Sequence, residues 1–115
     1  VPIKILLLMT LFMLQFISVT NAEVPLKAMF VRDHQLWMKE GDQVIQLTKD
    51  KYVYSPQWSY DGRFIAYIDD DEQGVKSNLW IYDTKRKENY EPYPSIETYS
   101  FSWSPVANEL AYISG

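Results

Sequence analysis

The chain has 115 residues, with 11 Lys plus Arg, 15 Asp plus Glu, one His and no Cys, for a formal charge of −4. These numbers exclude a disulfide framework, a thiolate metal site and a cysteine nucleophile, and the single His34 cannot build a multi-histidine metal centre. The acidic balance also opposes a surface made to hold nucleic-acid phosphates or anionic lipid. At 47% hydrophobic and 23% charged the composition is that of a folding chain, and 16% aromatic residues, four Trp and nine Tyr among them, favour strands.

Lys4 precedes an apolar stretch, Ile5 to Val19, that ends in Thr20, Asn21 and Ala22. It is interrupted by Gln15 and falls short of the ~20 apolar residues a spanning helix needs, so it reads as a secretory signal peptide. The small side chains of Thr20 and Ala22 place cleavage after Ala22. An uncleaved membrane anchor is the alternative, the only membrane contact expected, and no Cys follows that could carry a lipid. The expected location is extracytoplasmic: secreted, periplasmic or attached to the cell envelope. Because the sequence opens with Val1 and stops inside an expected strand, it also reads as an N-terminal fragment, with residues 23–115 folding poorly or associating when alone.

From residue 27 onward the chain is punctuated into short strands. Lys27 to Arg32, Gln35 to Lys39 and Gln43 to Thr48 come first, with Glu40, Gly41 and Asp42 as a hairpin turn. Val53 to Trp58 follows, then an Asp61-Gly62 turn in which glycine is free to take positive φ, then Arg63 to Asp69. A loop from Asp70 to Ser77 leads to Asn78 to Asp83. Thr84 to Glu88 turns the chain into a weaker strand from Tyr90 to Tyr93, placed at a sheet edge because Pro92 cannot donate to a ladder. No helix is expected after residue 22.

The chain repeats. Ser55, Trp58, Ser59, Ala66, Tyr67 and Ile68 recur as Ser100, Trp103, Ser104, Ala111, Tyr112 and Ile113, at a constant offset of 45. Leu36-Trp37 recurs as Leu79-Trp80, and the four Trp stand at 37, 58, 80 and 103.

The strands are apolar on both sides. In Phe64 to Ile68 and Leu79 to Tyr82, successive residues point to opposite faces, yet neither face is polar. Short turns make these strands antiparallel, and an antiparallel sheet with one wet face would alternate, so the pattern requires cover on both faces. Four-stranded antiparallel sheets of about 45 residues stacked between like neighbours are the blades of a β-propeller. The expected fold is all-β, about two blades of a larger propeller: an incomplete first blade at about 23–50, a second at about 51–97 and the start of a third at about 98–115. A β-sandwich is the alternative, and it explains neither the recurrence nor the two-faced strands.

The run Trp58-Ser59-Tyr60-Asp61-Gly62-Arg63-Phe64-Ile65-Ala66-Tyr67 resembles the W-S-P-D-G-x-x-[IL]-A-[FY] core of the TolB-type, WD-repeat-like propeller family. Tyr60 replaces the usual Pro. The second copy keeps Pro105 but has Val106-Ala107 in place of Asp-Gly, with Asn108 expected at the positive-φ position. The resemblance spans residues 27 to 115 and implies a ring of six or more blades, in which a strand from elsewhere completes the first.

Set beside this scaffold, the candidates for chemistry are weak. Asp69, Asp70, Asp71 and Glu72 lack the D-x-[DN]-x-[DN]-G spacing of a calcium loop and read as a solvated acidic loop. His34 beside Asp33 has no evident nucleophile and reads as a turn histidine. None of Ser55, Ser59, Ser100, Ser102 and Ser104 lies in a G-x-S-x-G elbow. Trp58 and Trp103 could stack a sugar, but their equivalence favours packing between blades. No catalytic residue, cofactor site or metal site is expected.

The expected function is an exported, non-catalytic propeller that binds a protein, peptide or glycan on one rim. Loops 70–77 and 94–98 emerge on the same face, so Asp70, Asp71, Glu72, Gln73, Lys76, Ser95 and Glu97 are the candidate recognition residues. The alternative is the opening part of the propeller of a prolyl-oligopeptidase-like serine peptidase, whose hydrolase domain would follow.

Overall fold

A computed structural model describes residues 26–70, 76–93 and 96–113. The expected leader, residues 1–22, lies outside them. The described residues contain no helix and nine strands: β1 (Lys27–Arg32), β2 (Gln35–Glu40), β3 (Gln43–Gln46), β4 (Val53–Trp58), β5 (Phe64–Asp70), β6 (Ser77–Asp83), β7 (Glu88–Tyr90), β8 (Phe101–Trp103) and β9 (Leu110–Tyr112). They form three antiparallel sheets, ordered β1-β2-β3, β4-β5-β6-β7 and β8-β9. One four-stranded blade thus stands between two partial ones.

The turns follow from local chemistry. Asp33 and His34 both take positive φ, 51° and 67°, the mirror-image geometry whose twist suits a two-residue hairpin. Gly62 sits at φ 75°, as the Asp61-Gly62 turn requires. The Ser59 hydroxyl caps that turn, donating to Asp61 Oδ1 at 3.2 Å and accepting from the Phe64 N–H at 3.0 Å.

Three details differ from expectation. The outer strand of the second sheet is Glu88–Tyr90 and ends before Pro92. The Asp83 carboxylate accepts from the N–H groups of Lys85 and Arg86, closing the turn tightly enough that Glu88 already pairs with Asp83. β3 stops at Gln46, because the Leu36 N–H that would continue its ladder bonds instead to Thr48 Oγ1 at 2.9 Å. Asn108 does not take positive φ; its side chain accepts from the Asp61 N–H at 3.2 Å, so it ties the third sheet to the turn of the second.

The central sheet is covered on both faces. Ile65, Ala66 and Tyr67 are each 0% exposed and Ile68 is 4% exposed, although consecutive strand residues must point in opposite directions. Ile65, Tyr67 and Tyr82 pack with Leu36, Met38, Leu47 and Val53, with Met29, Trp58 and Trp80 around them. Ala66, Ile68, Leu79 and Ile81 pack on the other side with Phe101, bordered by Phe64, Ile96, Trp103 and Leu110. Each large side chain removed from water in this way contributes about 1.5–3 kcal/mol, which a sheet with one wet face would forgo for half its residues.

Candidate functional site

In this topology the β1–β2 hairpin and the β3–β4, β5–β6 and β7–β8 links lie at one end of the sheets, and the β2–β3, β4–β5 and β6–β7 turns at the other. The first end is knitted across the blades. The Val53 N–H donates to His34 O at 2.8 Å, and Gln35 spans the gap by donating to Lys51 O at 2.7 Å. Within the second sheet, the Asp70 N–H donates to Tyr52 O at 2.9 Å and the Tyr52 N–H donates to Asp69 Oδ1 at 2.8 Å, which holds the link residues to the end of β5. These bonds fix the rim as a shaped surface and not a set of independent loops.

Of the candidate recognition residues, Asp70 closes β5 opposite Ser77, Lys76 is exposed beside the start of β6, and Glu97 is exposed in an antiparallel bridge to Asn78. The Thr98 N–H donates to Ser77 O at 3.0 Å and the Leu79 N–H to Ile96 O at 3.2 Å, so the described parts of the two loops adjoin. Asp71, Glu72, Gln73 and Ser95 lie outside the described residues.

The same rim carries a feature that the sequence reading did not assemble. The His34 ring stacks on Tyr52 at 3.9 Å and 16°, and Tyr52 meets Tyr54 at 5.3 Å and 44°. None of the three belongs to the two buried clusters. Tyr54 is 47% exposed and His34 is exposed. A hydrogen bond with Tyr52, some burial, and the nearby charge of Asp70 hold the Tyr54 phenol above its usual range. Lys51 turns away, its Nζ 3.5 Å over the Trp80 ring and 3.7 Å from Asp69 Oδ2. Arg32 lies over Phe30 and Trp37, at 5.6 and 5.7 Å. Only the spacing of Tyr52 and Tyr54 hinted at the row, because His34 arrives from another blade.

Both tryptophans and several of the serines have structural partners. Trp103 stacks on Phe64 at 6.3 Å and donates to Gln57 O at 3.0 Å, joining third sheet to second, while Trp58 packs against the first buried cluster. Ser104 Oγ accepts from the Val106 N–H and Ser102 Oγ donates to Trp103 O. Among the described residues no group of three or more His, Asp and Glu is placed to hold a metal ion. A cleft of about 290 Å³ between the second and third sheets is walled by Phe64, Ile81, Tyr90, Pro92, Trp103 and Tyr112, among others, with no carboxylate or imidazole in its wall. At the opposite end, Arg63 grips Asp83 through Nε at 3.2 Å and Nη2 at 3.0 Å. That pair, helped by the Arg86 and Lys85 N–H groups against the cost of burial, pushes the Asp83 carboxyl down to about 2.

No family model matches the chain. It is 32% identical over 104 residues to a probable dipeptidyl-aminopeptidase B of Podospora anserina, a match covering 72% of this chain and 11% of that protein. A protein of the same name in Chaetomium globosum is 32% identical over 91 residues, covering 61% of this chain and 10% of its own length. The chain therefore spans about a tenth of the length of these curated relatives.

Proposed function

We propose that residues 26–113 are blades of a larger β-propeller of TolB-like repeats, and that this propeller is the non-catalytic, peptide-admitting part of an exported peptidase of the dipeptidyl-aminopeptidase kind. The observation that carries the reading is the alignment at 32% identity to proteins named as such peptidases. The apolar segment from Ile5 to Val19 supports export. The described residues hold no nucleophile paired with a base: His34 is committed to Tyr52, and Ser59 to its turn. Hydrolysis in such a protein depends on serine, acid and histidine outside these blades. The partner-binding scaffold without a hydrolase domain ranks second, since both relatives are named as peptidases.

The test is to read the coding sequence beyond residue 115 and to assay the encoded protein on dipeptidyl p-nitroanilides. Further blades followed by G-x-S-x-G, with Asp and His after it, and release of p-nitroaniline support the proposal. Further blades alone, with no hydrolysis, overturn it in favour of the scaffold.

A further inference from the structure

We propose that the His34–Tyr52–Tyr54 row is a recognition platform for a basic side chain, arginine above all, of a peptide or protein partner. This goes beyond the peptidase reading and holds for a scaffold equally. The three rings contact one another through Tyr52, which is face to face with His34 and tilted against Tyr54; all lie outside both buried clusters, and His34 and Tyr54 are exposed, so they add little to the core while leaving ring surface open at both ends of the row. Exposed aromatic surface held on a rigid frame is the usual material of a binding hot spot.

Charge selects the occupant. Two neighbouring cations on this rim are turned onto other rings, Lys51 onto Trp80 and Arg32 onto Phe30 and Trp37. Asp33 adjoins His34 in the hairpin, and the charge of Asp70 is felt at Tyr54. A π face bordered by carboxylate, in a chain of charge −4, complements a cation and repels an acidic partner. A planar guanidinium stacks on an exposed ring such as Tyr54 better than an ammonium does.

The experiment measures binding of a fluorescein-labelled Gly-Arg-Gly-Arg-Gly peptide to the intact protein by anisotropy, beside the same peptide with norleucine for arginine. The arginine peptide is expected to bind saturably and at least about tenfold tighter than the norleucine peptide. Tyr54→Ala is expected to weaken it about tenfold, Tyr54→Phe to retain it, and Tyr60→Ala, at the opposite end, to leave it unchanged. Equal binding of the two peptides overturns the proposal on the unsubstituted protein alone. So does unaltered binding by a folded Tyr54→Ala protein, which would mark the attraction as diffuse charge. Because the readout is peptide capture and not hydrolysis, its failure leaves the peptidase reading standing, and the reverse is also true.

Discussion

Tyr67 donates its phenolic proton to Asn89 Oδ1 at 2.7 Å, and Asn89 in turn donates its amide to Leu47 O at 2.7 Å. The bonds join a fully buried phenol in β5 to the outer strand β7 and to the end of the first sheet. Burial, assisted by the charge of Asp69, drives the Tyr67 phenol far above its usual range, so the hydroxyl stays a donor.

Removing Asn89 is therefore expected to cost more than removing the hydroxyl. Tyr67→Phe should destabilise by about 1 kcal/mol, and Asn89→Leu by about 1–3 kcal/mol, because it strands a buried donor. The double variant should cost less than the two added together, as checked by urea unfolding. Strict additivity would mean that the bond is not formed.

Leu36 and Leu79 are both 0% exposed: Leu36 comes from the first sheet and packs on one face of the central sheet, and Leu79 lies on the other face in β6. Leu36→Ala and Leu79→Ala are each expected to cost about 2–5 kcal/mol in urea or thermal unfolding. A loss below about 1 kcal/mol at Leu79 alone would show that the second face is not sealed.

Asp83 gives the protein an acid sensitivity of known sign. Its carboxyl lies at about 2 when folded against an ordinary 3.8, chiefly through the Arg63 hydrogen bonds. Between these values the unfolded chain takes up a proton that the folded one refuses, so the contribution is intact above pH about 4 and lost as pH falls through about 2. Asp83→Asn is expected to lower stability at pH 7 and to flatten its decline between pH 4 and 2. A decline as steep as in the unsubstituted protein would assign the acid sensitivity to other carboxylates.

The sequence disclosed the strands and the cover on both faces because period-2 alternation fails visibly from Phe64 to Ile68, and because Gly62 and Gly41 punctuate the turns. It did not disclose the end of β3, where a side-chain hydroxyl from Thr48 takes over a ladder position. Nor did it disclose the start of β7, which depends on a carboxylate closing the turn before it. Pro56 marks another such place: it cannot donate within β4, and a bulge forms between Tyr54 and Gln57, with Ser55 at φ 51°. At the rim, the meeting of Ser77 and Asn78 with Glu97 and Thr98 was legible from the strand order and the short turns. The aromatic row was not, since contacts between His34 and Tyr52 depend on how two blades are set against each other.

Hydrophobic cover over both faces of the central sheet defines the stacked-blade fold, and cysteine labelling tests this directly in a chain that has no cysteine of its own. Single variants Ile65→Cys and Ala66→Cys place a thiol on each face at adjacent positions, with Tyr60→Cys, at a residue 62% exposed, as the reference. Under native conditions both buried thiols are expected to react with a maleimide slower than the reference by on the order of 100-fold or more, and to match it once unfolded. Fast labelling at one of the two adjacent positions, with protection at the other, would mean a sheet with one wet face and would contradict the stacked-blade fold.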